Sequence, residues 1–103
     1  MIDVREYVDA KGRSSYADWF DNLGAQAKVA TAITTLALGN FSSVEGVGAG
    51  VFEYKINFGP GYRIYFGKEG DRLIILLGGG TKKRQHRDIE SAIDNWRDYK
   101  RRR

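Results

Sequence analysis

The sequence predicts an α+β fold, in which an N-terminal helical hairpin and a C-terminal helix pack on a mostly antiparallel sheet. Three observations carry this expectation. Apolar residues recur at helical spacing in residues 16–37 and again in 89–99. They recur at every second position from Phe52 to Phe58 and from Tyr62 to Phe66. Every position from Leu73 to Leu77 is apolar, which marks a central strand buried on both faces. The expected order is β-α-α-β-β-β-α, with the helices on one side of the sheet. A chain of 103 residues suits one compact domain, residues 1–103.

The elements follow in order. The stretch IDVREYV alternates and reads as the first strand. Ser15 is a helix cap, and Asp18 favours the positive helix start. Tyr16, Trp19, Phe20 and Leu23 then form one stripe, and Gly24 stops the helix. A second helix spans residues 25–38, with Val29, Ala30, Ile33, Leu36 and Ala37 as its buried side and Gly39-Asn40 at its end. NFSSVEGVGAG reads as a glycine-rich loop; no Lys-Ser/Thr pair follows it, so it is not a phosphate loop. Strands at VFEYKINF, YRIYFG and RLIILLGGG come next. The last helix carries Ile89, Ala92, Ile93, Trp96 and Tyr99 on one face.

In the second and third strands the even positions are apolar and the odd positions polar. Neighbouring strands must agree on which face is which, because a slip of one residue inverts every side chain. An even pairing sum keeps that agreement, through a loop of three or five residues around GPG. Pairing Phe58 with Tyr62 sets Asn57 opposite Arg63 and Lys55 opposite Tyr65. Lys55, Asn57, Arg63 and Tyr65 then share one face as an oxyanion-binding surface. Arginine offers phosphate a planar fork, and lysine a point charge. The same four residues also fit an ordinary solvent-facing sheet. The apolar central strand favours a groove, because something must cover its second face.

Charge is unevenly distributed. Nine of the 17 Lys and Arg residues lie in residues 82–103, against four of the 13 acidic ones. Such a one-sided basic surface points to a polyanionic partner, nucleic acid first. The candidate contacts there are Lys82, Lys83, Arg84, Arg87, Lys100 and Arg101. The terminal KRRR reads equally as a solvated tail. Three glycines precede the basic run and allow a ligand close to the backbone. The run enters the last helix, whose positive end reinforces anion binding. His86 is the one histidine, and its ordinary pKa of about 6.5 suits proton transfer near neutrality.

Other chemistry finds no support in the sequence. The chain has no cysteine, which removes disulfides and thiolate metal sites and fits the cytoplasm. No metal-ligand spacing, nucleophile elbow or carboxylate pair stands out, so neither metal nor cofactor is expected. No apolar run approaches the ~18 residues of a membrane span. The start MIDVREYVDA lacks the basic-then-apolar pattern of a secretory signal.

The ordered segments NFGPGYR-Y after Glu53 and Lys55, LLGGG-K with Gln85 following, and DI--A---W resemble the HigB-like branch of the RelE/ParE toxin superfamily, the addiction-module killer proteins. The resemblance covers residues 47–99. It implies a RelE-like fold and the toxin of a type II toxin–antitoxin pair. Many relatives of that kind cut mRNA in the ribosomal A site, without a metal, and halt translation. The implied partners are a small helix-turn-helix antitoxin, mRNA and the ribosome, with operator DNA reached only through the antitoxin complex. The superfamily's strand arginine falls on Arg63, its strand lysine on Lys55, and its basic positions after the last strand on Lys82, Lys83 and Arg84. The implied catalytic set is Arg63, Lys55, His86 and Lys82, with Asn57, Tyr65, Lys83, Arg84, Arg87, Lys100 and Arg101 on RNA. ParE-like members are not nucleases but bind and inhibit DNA gyrase, which is the alternative function.

Overall fold

The computed structural model describes residues 1–103. The first strand, β1, is Asp3–Glu6. Helix α1, Ser15–Asp21, begins where the Ser14 hydroxyl accepts the Ala17 N–H at 3.0 Å. The cap is therefore Ser14, one residue before the expected Ser15. Helix α2 is Gln26–Ala37. It closes with a Schellman turn: Gly39, at φ 83°, donates to the Leu36 carbonyl and Asn40 to that of Thr35. Val29, Ala32 and Leu36 are its buried residues. Ala30, expected inside, is exposed. Helix α1 rests chiefly on the last strand and α2 across the first and third, with little contact between the two helices.

Four strands follow, not three. They are β2 (Val44–Gly48), β3 (Val51–Ile56), β4 (Tyr62–Glu69) and β5 (Leu73–Thr81). The segment read as a glycine-rich loop contains β2. Its glycines obscure the alternation, and a register shift between Gly46 and Gly48 interrupts it further. A two-residue turn, Ala49-Gly50, joins β2 to β3 with both residues at positive φ (53° and 83°). That geometry matches the twist of a hairpin.

The sheet runs β1-β5-β4-β3-β2. β1 lies parallel to β5, and the other pairs are antiparallel. The sheet is thus mostly antiparallel, with β4 in the middle. Residues 57–61 form a five-residue loop between β3 and β4, because Ile56 pairs with Tyr62. The even-sum parity holds, but the register lies one pair away from the expected one. Lys55 faces Arg63 and Glu53 faces Tyr65, while Asn57 lies in the loop.

Both faces of the sheet are covered. On the even face Ile64, Phe66, Ile74 and Leu76 pack with Tyr16, Val29, Ala32 and Leu36 of α1 and α2. On the odd face Val51, Tyr65, Ile75 and Leu77 pack with Ala92 and Trp96 of α3, Gln85–Arg102. The helices therefore do not share one side. The apolar residues on both faces of β5 require the second cover, and each large side chain so buried contributes about 1.5–3 kcal/mol. Helix α3, of 18 residues, spans about 27 Å. No helix is long and apolar enough to cross a membrane.

Two glycines set the spacing of the layers near the C-terminal end of β5. An ideal Cβ on Gly79 would stand 2.3 Å from the Trp19 ring, on the α1 side. One on Gly80 would stand 1.9 Å from Asp88 Oδ2, on the α3 side. A bulge at Leu77 sets which glycine faces which layer. It shifts the β4–β5 register so that Gly80 pairs with Arg63.

Candidate nucleic-acid interface

Arg63 is the centre of a charged cluster beneath the start of α3. It is 8% exposed, not on an open face. Its Nη1 donates to the Gly61 carbonyl at 3.0 Å. Its Nε lies 3.8 Å from Glu53 Oε1, too far for a hydrogen bond, and is buried without a partner. Nη2 has no protein partner yet is not buried, so this corner of the guanidinium reaches the surface. Arg63 is thus held by Glu53 and the Gly61 carbonyl and keeps one nitrogen, Nη2, without a partner in the protein.

Glu53 provides the grip. Its side chain is 1% exposed, the most buried carboxylate in the chain. Gln85, the first residue of α3, donates to both of its oxygens at 3.0 and 2.9 Å. A buried charge needs both a partner and hydrogen bonds, and Arg63 and Gln85 supply one each. Helix α3 is thereby fastened to β3 and β4 at its first turn.

Tyr65, expected on RNA, is closed off from it. It is fully buried, its hydroxyl has no hydrogen-bond partner, and burial raises its pKa, helped by Glu53 and Asp88. Its odd position does share a face with Arg63, but α3 covers that face.

The cations around Arg63 fall into distinct groups. Lys55 is its cross-strand neighbour, with Cβ atoms about 5 Å apart. The Lys55 Nζ is paired with Glu45 Oε1 at 3.1 Å. Lys82 donates its backbone N–H to the Gly61 carbonyl, the oxygen that also accepts from Arg63. Lys55, Arg63 and Lys82 therefore converge at one end of the sheet, and Asn57 is exposed on the loop beside them. Residues Lys82–Arg84 form a single 3-10 turn that leads into α3.

His86 lies outside this cluster. Its side chain is 94% exposed and pairs with Glu90 at 3.1 Å, one turn along α3. With Lys83, Arg84 and Arg87 it lines an open hollow of about 380 Å³ that has no hydrophobic residue in its wall. Arg84 also borders a cleft beside Asp88. The Asp88 carboxyl has its pKa raised by burial, against the opposing pull of Arg84 and Arg87.

Lys100 and Arg101 lie near the far end of α3, away from Arg63. Lys100 sits 5.5 Å from the Trp96 ring centre. Arg101 and Arg102 both bond Asp98, at 2.8 and 2.9 Å, and Arg103 pairs with Glu69. The Asp98 carboxyl is held below the usual carboxylate range, first by the Tyr7 hydroxyl and then by Arg101. The basic terminus is thus mostly helical and tied down.

Sequence reasoning missed Glu53, Gln85 and Asp88. A signal for Glu53 existed: it shares the odd parity of Arg63, and the doubly apolar β5 already implied a cover on that face. No set of three or more His, Cys, Asp and Glu side chains gathers as a metal site.

Fold and site together define a small α+β protein with a buried, braced arginine opening onto a basic surface. No family model matches the chain. An uncharacterized protein of Haemophilus influenzae (strain Rd) is 38% identical over 88 residues, which covers 82% of this chain and 89% of that protein. The chain belongs to the same family as that protein.

Proposed function

We propose that this protein is a RelE-like toxin of the HigB type, the RNA-cleaving half of a type II toxin–antitoxin pair. One observation carries the reading: an arginine braced by Glu53 and the Gly61 carbonyl, with one free guanidinium nitrogen, set between Lys55 and Lys82. Preorganised positive charge is what a phosphorane needs, and it costs nothing to reorganise at the moment of reaction. The order of strands, with a parallel β1 beside an antiparallel set, supports a RelE-like architecture.

In this mechanism an RNA 2′-oxygen attacks its own 3′-phosphorus. The new O–P bond closes a 2′,3′-cyclic phosphate as the P–O5′ bond breaks. The 2′-hydroxyl proton passes to a base, and the departing 5′-oxygen takes one up. Arg63 Nη2 holds a non-bridging oxygen, while Lys55 and Lys82 offset the developing charge. Lys83, Arg84 and Arg87 hold the neighbouring phosphates along the hollow. His86, on its rim with Glu90 3.1 Å away, is the imidazole available there for proton transfer. DNA lacks the 2′-hydroxyl and is not cut. Lys100 and Arg101 lie too far along α3 for the reacting phosphate, and serve as outer contacts to ribosomal RNA.

On this reading the protein works in the cytoplasm on ribosome-bound mRNA and is silenced by a small helix-turn-helix antitoxin. Inducing the protein and mapping transcript ends at base resolution tests it. Discrete cuts with 5′-hydroxyl ends are expected. Intact transcripts with blocked DNA supercoiling would favour the gyrase-binding alternative.

A further inference from the structure

A cleft at the free edge of β5 shares only Arg84 with the phosphate-holding cations. β1 pairs with β5 only from Leu73 to Leu76, so the edge beyond it has no strand partner. Trp19, Gly79, Gly80, Thr81, Arg84 and Asp88 line a cavity of about 230 Å³ there. The cavity exists because positions 79 and 80 carry no side chain; any Cβ would strike Trp19 or Asp88.

Its chemistry is specific. Trp19 supplies an aromatic wall, and its ring packs on the Gly79 backbone. Asp88 is partly buried, yet its carboxylate makes neither a hydrogen bond nor an ion pair within the protein. Burial of such a group is costly unless a donor meets it. Arg84 adds a cation at the mouth. An aromatic wall with an unpaired carboxylate suits a flat, nitrogen-rich ring that offers adjacent N–H groups. Among the RNA bases guanine alone presents two such donors side by side on its pairing edge, at N1 and N2. Single-stranded bases are read in this way, by stacking together with hydrogen bonds to that edge.

We infer that this cleft holds a guanine base of the RNA strand whose phosphate Arg63 grips. Position matters as much as chemistry. Gly80, under Asp88, is the direct cross-strand partner of Arg63. A nucleotide with its phosphate at Arg63 Nη2 therefore has its base within reach of the cleft. The inference rests on the RNA-cleaving reading for its context, but the cleft can be probed without cleavage.

The test titrates the full-length protein with GMP, AMP, CMP and UMP, following the Trp19 indole N–H and the Gly79 and Gly80 amides by NMR. GMP is expected to shift these signals and to bind at least about tenfold tighter than the other three, as a bidentate base contact requires. Asp88→Asn should abolish that preference while leaving the shifts of Lys83 and Arg87 in place. Trp19→Phe should weaken all four nucleotides together. Equal affinities, or shifts confined to Lys83 and Arg87, would overturn the inference, as would an Asp88→Asn variant that still prefers GMP. The preference in the unaltered protein decides the matter if a variant misfolds. Guanine selectivity without RNA cleavage would leave the cleft standing and remove the nuclease. Cleavage without guanine selectivity would do the reverse.

Discussion

Replacing Glu53 by glutamine keeps its shape and removes its charge, which makes it the sharpest probe of how Arg63 is held. In the native protein the Arg63 Nε stands 3.8 Å from Glu53 Oε1. At an effective dielectric of about 20, two unit charges at that separation attract by about 4 kcal/mol. Removing one partner of a buried pair typically costs about 3–5 kcal/mol, because the other charge is left uncompensated. The Arg63 side chain is 9% exposed and not fully buried, so the lower figure, about 3 kcal/mol, is expected here. In a domain of this size that corresponds to a melting temperature lower by roughly 15 °C. Urea titration with an unchanged slope should report the same loss. Arg63→Met should also destabilise, and the Glu53→Gln/Arg63→Met double variant should lose about 2 kcal/mol less than the two singles together. Losses that add within about 0.5 kcal/mol would refute the brace, since the two charges would then be energetically independent.

Three further predictions follow from other parts of the molecule. Gly67→Ala places a Cβ 2.4 Å from the Trp96 ring and should cost about 1–3 kcal/mol in a urea titration, whereas Gly24→Ala meets nothing within 4 Å and should be neutral or slightly stabilising. The Asp88 pKa is raised by burial, so the native state holds that proton more tightly and stability falls as pH rises from the ordinary carboxylate value to the folded one. Asp88→Asn should remove that fall, and thermal melts across the acid range will show a relative gain at neutral pH that vanishes below the ordinary value. Asp98 is the opposite case: its lowered pKa contributes stability above the ordinary value that is lost as pH falls through the folded one, so Asp98→Asn should flatten that acid limb.

The helices and the parity of the sheet were legible because each is a local rule. Tyr16, Trp19 and Phe20 fall on one side of a helix whatever covers them, and the even residues of β3 and β4 share the face that α1 and α2 cover. Long-range facts were not legible. The strand β2 disappears into its glycines, because what makes it a strand is the ladder with β3. A difference of one pair in register moved Asn57 off the strand into the loop and put Lys55 directly opposite Arg63. Parity alone cannot choose between loops of three and five residues. The doubly apolar β5 implied a cover over Tyr65 and Glu53, but not which element supplies it, because α3 lies 20 residues or more further along the chain. The cluster at Arg63 was therefore half visible: its cations were found, and the carboxylate and amide that hold it were not. His86 was chosen for its chemistry, and its exposed place on α3 follows from helical phase.

The proposed function stands or falls on whether the phosphate held at Arg63 is cut. The most direct measurement incubates purified protein with ribosomes stalled on a defined mRNA and compares it with Arg63→Ala. Loss of one preorganised stabilising group typically lowers such a rate by about 10²–10³-fold. The account predicts a cut in the ribosome-bound codon, a 2′,3′-cyclic phosphate on the upstream fragment, and that size of loss in the variant. An Arg63→Ala protein, folded by circular dichroism, that cuts at the unaltered rate would contradict it.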